Sequence, residues 1–492
     1  MTHHPAESAM LHAKLFINNQ DVASSDGATF DCLNPVNGKV ATVAAAASVD
    51  SALAAVNAAT VAFGAWAAML PQQRRALLDR TADLIVARSA DFSAAMTAET
   101  GATAAWGSFN CQLAANIFRE AAALVTQIQG ELPPSSRAGA IEMVVRQPAG
   151  VVLAFAPWNA PVLLAARAVA MPLACGNSVV LKGSELCPYT HRLLGEVLAE
   201  AGLPPGVLNV VLNAPADAAK VVEALIRHPA VRRVNFTGST RVGRSIAEIA
   251  ARYLKRCLLE LGGKAPLLVL DDADLDEAVK AAAFGAFFNQ GQICMSTERI
   301  IVDRKVADAF VQRLADKALS LKAGLPDEPG CALGPMISAS AAERITALVQ
   351  DAVGKGAELV TGGHARGSVM TATVVDHVTA AMRLYGEESF GPVVAVLRFD
   401  DVEEAISLAN DSEYGLSAAV FGGDVLRALE VARRIESGIC HINGPTVLDQ
   451  AQIPFGGVKD SGYGRFGGRA AIDEFTELRW ISIQRGAQQY PI

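Results

Sequence analysis

The stretch VVLAFAPWNAPVLLAARAVAMPLACGNSVVLK, residues 151–182, decides how this chain is built. It opens on an unbroken apolar run, Val151–Phe155, breaks at Pro157, Trp158 and Asn159, and closes on a second run, Ser178–Lys182. Short β-branched runs without alternation read as strands buried on both faces, whereas the apolar segment 162–174 between them has helical length. Strand, helix, strand is a βαβ unit, and its two strands can only pair in parallel. The uncharged run 149–166 approaches the length of a membrane span. Gly150, Pro157, Asn159 and Pro161 interrupt it, so a strand, a turn and a buried helix are expected there, and no membrane partner.

Moving outward, the rhythm repeats. Strands are expected over 207–211 and 232–236, with helices over 188–201, 216–227 and 241–253. This predicts a parallel sheet covered by helices, which binds ligands at the carboxyl ends of its strands. A second α/β rhythm follows, with strands over 267–270, Val393–Phe399, Ser417–Phe421 and 438–442 and a helix over 275–288. Residues before about 130 read as largely helical, with Ala-rich amphipathic segments at 50–66 and 72–88. The segment 142–146 reads as an exposed two-stranded arm.

With 492 residues, two or three domains are expected. Half the residues are apolar and 19% are charged, as in a well-buried globular protein. The net charge of -8 comes without a basic block, so nucleic acid is not an expected partner. The eight cysteines form no C-x-x-C pair, and no histidine stands at zinc-finger spacing. Neither a metal site nor a disulfide framework is expected. Residues 1–14 lack a basic n-region and an apolar h-region, so no signal peptide is expected, and a cytoplasmic location is.

Five short segments carry chemistry. Phe288-Asn289-Gln290-Gly291-Gln292-Ile293-Cys294 ends a helix and puts a cysteine in a loop. A thiol with a pKa near about 8.5 is mostly protonated at neutral pH, so a nucleophilic Cys294 needs a base; otherwise it is a small buried hydrophobe. Glu260, at a strand end before Gly262 and Gly263, suits a general base for water if burial raises its pKa; pairing with Lys264 or an arginine is the structural alternative. Asn159 offers a neutral amide donor for an oxyanion, or else a turn or helix cap. Phe236-Thr237-Gly238-Ser239-Thr240-Arg241-Val242-Gly243 follows a strand and opens a helix, the context for pyrophosphate on a helix N-terminus, with Ser239 as donor. Lys182 and Glu185, three residues apart, suit ribose hydroxyls, and a carboxylate there repels a 2'-phosphate, favouring NAD over NADP.

Together and in this order the segments resemble the aldehyde dehydrogenase superfamily. Its F-x-x-x-G-Q-x-C appears as Phe287 to Cys294 and its E-L-G-G-K as Glu260 to Lys264. Its P-W-N starts at Pro157, its K-x-S-E at Lys182, its F-T-G-S-T at Phe236 and its E-x-F-G-P at Glu388. The tail P-F-G-G-x-K-x-S-G-x-G-R runs from Pro454 to Arg465. The resemblance implies an α/β fold with a Rossmann-type cofactor domain, an α/β catalytic domain and a small oligomerisation arm. The expected boundaries are 1–131 and 149–261 for the cofactor domain, 262–440 for the catalytic domain, and 132–148 with 441–492 for the arm and C-terminal segment. It implies Cys294 as nucleophile, Glu260 as base and Asn159 as oxyanion donor. Trp158, Lys182, Glu185, Gly238, Ser239, Gly243, Leu261, Glu388 and Phe390 would hold NAD. Two departures stand out: Gly183 where proline is usual, and Phe466 where glutamate is common.

The implied reaction oxidises an aldehyde to the acid through a Cys294 thioester that Glu260 helps to hydrolyse. Members that pass the acyl group to coenzyme A typically lack that glutamate. Details around Asn159, Gly183 and Tyr463 resemble the branch acting on benzaldehyde, salicylaldehyde and vanillin, with Trp106, Arg167, Ile293, Met295 and Phe455 as expected pocket residues. Arg167 is a lone charge in an apolar helix. It is expected to meet substrate, backbone carbonyls or a subunit partner, since a buried guanidinium must be paired. The competing readings are an aliphatic or semialdehyde dehydrogenase, a thiol esterase, and a catalytically silent NAD-binding protein. A homodimer or homotetramer is expected.

Overall fold

The computed structural model describes residues 10–488 and 490–492. Residues 1–9, which hold most of the segment read for a signal peptide, lie outside them. The expected βαβ unit forms as strand Val151–Phe155, helix Pro161–Ala174 and strand Ser178–Lys182, and the two strands pair in parallel. The 149–166 run is thus divided between a strand, a loop and a helix whose every residue is buried. Among the described residues one helix, Val49–Ala68, is long and apolar enough to cross a membrane; Ala52, Ala55, Val56, Ala59 and Trp66 on it pack into the core of the first sheet.

That first sheet has eight strands. The chain lays Val151–Phe155, Ser178–Lys182 and Leu208–Val211 side by side in one direction. It then returns to the other side of Val151–Phe155 for Val231–Thr237 and Arg256–Glu260, all parallel. The order reverses between Val151–Phe155 and Val231–Thr237, and such a switch opens a crevice at the carboxyl ends of the strands. Leu15–Ile17 and Gln20–Val22 extend one edge and Gly462–Tyr463 the other, both antiparallel.

The second sheet has seven strands, including Ala265–Val269, Thr297–Asp303, Val393–Phe399, Ser417–Phe421 and Ile439–Ile442. Period-two alternation sends Leu267 and Val269 into one apolar layer and Leu268 into the other, so helices cover both faces. Ala140–Pro148 pairs antiparallel with Thr476–Gln484 along its whole length, so the arm is closed by chain segments far apart in sequence.

Three expectations need correction. The opening region is helical only from Val49, where Val49–Ala68 and Pro71–Ala87 match the expected segments: five strands lie between Leu11 and Ala45 before the first helix. They are three to six residues long and partly Ala-rich, too short for a periodic signal. The expected 440/441 boundary cuts the strand Ile439–Ile442. Beyond it the chain does not serve the arm alone, because Gly462–Tyr463 completes the first sheet.

Candidate active site

The register of the first sheet gathers the motifs. Lys182 pairs with Phe155, Phe155 with Phe236, and Thr237 with Glu260, so all four segments leave the sheet at one end. Pro157, Trp158, Asn159, Thr237, Gly238, Ser239, Glu260, Leu261, Gly262, Cys294, Glu388 and Phe390 line a single cavity of about 610 Å³ there. On its far side, Trp106, Phe109, Leu113, Arg167, Phe284, Ile293, Met295 and Phe455 line a second cavity of about 750 Å³. Asn159, Leu164 and Cys294 belong to both.

Cys294 reaches this seam by an unusual turn. Helix Leu275–Phe287 ends, and Asn289, Gln290 and Gly291 take left-handed φ values of 47°, 54° and 67°. A non-glycine residue pays roughly 1–2 kcal/mol for that conformation, so the turn must be held from outside. Asn289 Nδ2 donates to Asn159 O at 3.1 Å, Ile337 N to Gln292 Oε1 at 2.9 Å, and Ser296 Oγ to Gly291 O at 3.0 Å. A Cβ on Gly291 would stand 2.1 Å from Gly391 O, and one on Gly263 2.2 Å from Cys294 O. Glycine at these two places lets the E-L-G-G-K and E-x-F-G-P loops close on the cysteine turn.

Asn159 is fixed as a donor. Its Nδ2 gives one hydrogen to Gln292 O at 3.0 Å, which leaves the second for the cavity. Neither structural alternative is realised, since the helix is capped at Ala160 without a side-chain bond. Trp106 Nε1 donates to Asn159 O at 2.9 Å, so this ring both walls the pocket and anchors the amide.

Glu260 is fully buried, and neither carboxyl oxygen has a hydrogen-bond partner among the described residues. Burial raises its pKa; the Cys294 thiol, the Arg167 charge and the Thr237 hydroxyl temper the rise without hydrogen-bond geometry to either oxygen. Burial and the Glu260 charge push the Cys294 thiol up. Neither group ionises readily beside the other, so burial holds both toward their neutral forms. A buried carboxyl without partners is costly and marks a working site. The expected alternative partner, Lys264, instead pairs with Glu298 at 2.7 Å.

Glu298 was not anticipated. Its carboxylate also accepts from Ser389 N, Ser389 Oγ and Phe390 N, riveting the E-x-F-G-P loop to the E-L-G-G-K loop. The only sequence signal is an acid inside the wholly buried strand Thr297–Asp303. Glu388 accepts from Gly263 N at 2.8 Å, and burial with the Glu298 charge pushes its pKa up to about 7. Phe390 packs edge-on against Trp158 with ring centroids 5.8 Å apart.

The cofactor candidates divide. Ser239 holds the N-cap position of Thr240–Arg252 but caps nothing with its hydroxyl, leaving hydroxyl and helix end free for an anion. This suits a dinucleotide pyrophosphate. Gly243 does not line the cleft; Leu261, which does, fills the space of its missing side chain, 2.4 Å from where a Cβ would stand. Lys182 and Glu185 form an ion pair at 3.5 Å just outside the lining, at the neighbouring strand end.

In the second cavity Phe109 and Phe284 were not anticipated, and Phe288 packs against both from outside the lining. Phe288 stacks on Phe284 at 4.8 Å and meets Trp106 and Phe109 edge-on at 5.0 and 5.3 Å. Among the described residues Arg167 donates to no backbone carbonyl. It pairs with Asp449, and its guanidinium lies 4.0 Å over the Phe455 ring. The backbone of Phe455 bridges that of Phe466, so the Phe466 departure sits directly behind this wall.

The sequence model of the Aldehyde dehydrogenase family matches residues 22–481. The chain is 61% identical over 483 residues to a vanillin dehydrogenase of Pseudomonas fluorescens, covering 98% of this chain and 100% of that protein. It superposes on the crystal structure of a salicylaldehyde dehydrogenase from Pseudomonas putida G7, complexed with salicylaldehyde, with a TM-score of 0.96 at 53% identity, covering 98% and 100% of the two chains. An NAD-dependent aldehyde dehydrogenase from Sinorhizobium meliloti superposes with a TM-score of 0.96 at 35% identity, covering 99% and 98%.

Proposed function

The chain belongs to the aldehyde dehydrogenase family, and from this premise we propose that it oxidises aromatic aldehydes to their carboxylic acids. One observation carries the reading: Cys294 and Asn159 stand where a cleft lined by the cofactor motifs meets a pocket walled by aromatic rings. A flat apolar ring fits that pocket with its aldehyde carbon at the thiol. The relatives named for vanillin and salicylaldehyde support the same substrate class.

The roles follow from the geometry. Glu260, buried and unpartnered, takes the thiol proton as Cys294 sulfur adds to the carbonyl carbon. The oxyanion is held by the free hydrogen of Asn159 Nδ2 and the Cys294 backbone N–H. When bound, the nicotinamide dinucleotide supplies the hydride acceptor that turns this adduct into a thioester. Once Glu260 has passed that proton to solvent it draws a second one from water, whose oxygen attacks the thioester carbon; the C–S bond breaks, Glu260 returns the proton to the sulfur, and the acid leaves with the thiol restored. Ser239 and the helix end would hold the pyrophosphate, and Glu388 and Phe390 the nicotinamide end.

NAD is the expected dinucleotide, because the Glu185 carboxylate beside Lys182 disfavours a 2'-phosphate. Unpaired thiols at all eight cysteines suit the cytoplasm; recovery in an oxidising compartment on cell fractionation contradicts that. A homo-oligomer through the arm is supported by exposed Leu478, Trp480 and Ile483 on its outer strand. Light scattering that gives the same mass for the wild type and Trp480→Glu rules that interface out. The reading is tested by NADH absorbance with benzaldehyde, vanillin, salicylaldehyde and propanal, using NAD and NADP. A kcat/KM for propanal well above the aromatic values sinks it.

A further inference from the structure

We infer that Asp449 sets the charge selectivity of the aromatic pocket: by holding the Arg167 guanidinium, it closes the pocket to aldehydes that carry a carboxylate. The inference rests on the aromatic-aldehyde reading and adds what the pocket refuses. Arg167 is the one charged residue of helix Pro161–Ala174, and its side chain is 6% exposed. A guanidinium facing an apolar pocket would by itself recruit a carboxylate, because its planar fork matches one in two hydrogen bonds. Here the partner is built in. Asp449 is 10% exposed and paired to the guanidinium, while the Phe455 ring covers the guanidinium face.

The pair stands in a partition. Arg167, Asp449 and Phe455 line both the aromatic pocket and a smaller cavity of about 360 Å³ behind it, into which Glu120 and Gln450 also face. A carboxylated aldehyde would have to displace Asp449 toward this rear cavity, where Glu120 already places an acid. Breaking a buried pair leaves an uncompensated buried charge, a penalty on the order of a hundredfold or more in binding. A neutral benzaldehyde, with or without a ring hydroxyl, meets a neutral pair and incurs no such penalty.

The experiment compares kcat/KM for 4-carboxybenzaldehyde and succinic semialdehyde with that for benzaldehyde. In the wild type each carboxylated-to-neutral ratio should be on the order of one hundredth or lower. Asp449→Asn frees the charge without changing the shape, and should raise both ratios about tenfold or more, chiefly through KM. Asp449→Glu should keep them low. The double variant Arg167→Met/Asp449→Leu, which removes both charges, should not gain carboxylate turnover. A wild-type ratio near one overturns the inference, and this arm needs no variant to fold. So does an unmoved ratio in an Asp449→Asn protein whose melting temperature matches the wild type. Benzaldehyde turnover in the wild type is a separate arm: its absence defeats the aromatic reading itself, whereas its presence with a failed ratio defeats only the role of Asp449.

Discussion

The two walls that meet at Cys294 are built in different ways. The cofactor wall is made of strand ends: Asn159, Ser239 and Glu260 each follow or close a strand of one sheet, and adjacent registers bring them together. The substrate wall has no such frame. Trp106 and Phe109 come from a helix before the strand Val151–Phe155, Arg167 from the crossover helix, Phe284 from a helix packed on the second sheet, and Asp449 and Phe455 from the C-terminal segment. A wall of strand ends is fixed by backbone pairing and tolerates few changes. A wall of collected side chains can be re-dressed without disturbing the sheet, which is where a family varies its substrates.

The seam between the walls should respond most strongly. Cys294→Ala should abolish oxidation of every aldehyde while leaving dinucleotide binding measurable by fluorescence. Glu260→Gln should lower steady-state turnover by about 10²–10⁴-fold and slow the first turnover of NADH as well, since the same base serves the thiol and the water. Full turnover without acyl-enzyme accumulation would defeat that role. Asn159→Ala should cost about 10²–10³ in kcat for aromatic and aliphatic aldehydes alike, because the lost donor faces the common oxyanion. A loss confined to one substrate class would place Asn159 in the substrate wall alone.

The walls should then separate. Trp106→Phe keeps an aromatic face but loses the indole bond to Asn159 O. A hydrogen bond contributes on the order of 1 kcal/mol, so kcat for benzaldehyde should fall about fivefold. The KM for the dinucleotide should stay put. Ser239→Ala should do the reverse, raising the dinucleotide KM by a similar factor and sparing the aldehyde KM. If either substitution moved both constants equally, the two cavities would not be independent.

The same contrast explains why one wall is legible in the sequence and the other is not. A buried strand announces itself by its unbroken apolar run, and the residues just past its carboxyl end must enter the crevice; Glu260, Asn159 and Ser239 are readable for that reason. Cys294 is placed in a loop by the breaker Asn-Gln-Gly, but no spacing rule foretells two left-handed residues before the glycine. Asp449 carries no signal, since nothing local ties an acid in a coil segment to a helix residue 282 positions earlier. Phe109 and Phe284 look like ordinary helix-face aromatics. The departure at Gly183 makes sense only in three dimensions: a Cβ there would crowd Leu212 at 2.9 Å and His191 at 3.0 Å.

The two walls also treat charge differently, and this gives the subtlest expectation. The substrate wall cancels Arg167 with Asp449, whereas the cofactor wall keeps Glu388 half-buried beside another acid and pushes its pKa up to about 7 from 4.5. Between those values the folded protein holds a proton that the unfolded chain has released. Stability tied to that proton is therefore full below about pH 4.5 and drains away as the pH rises through about 7, up to roughly 3 kcal/mol in all. Glu388→Gln, neutral at every pH, should flatten this part of the melting-temperature profile and leave the variant the more stable protein above about pH 7. Binding should move the opposite way. An ionised Glu388 is the better acceptor for hydroxyl donors, so dinucleotide affinity in the wild type should rise with pH across about 7, and the variant should lose that dependence. A variant that bound more weakly by the same factor at about pH 6 and about pH 8, on either side of that titration, would mean that Glu388 shapes the cleft without titrating in it.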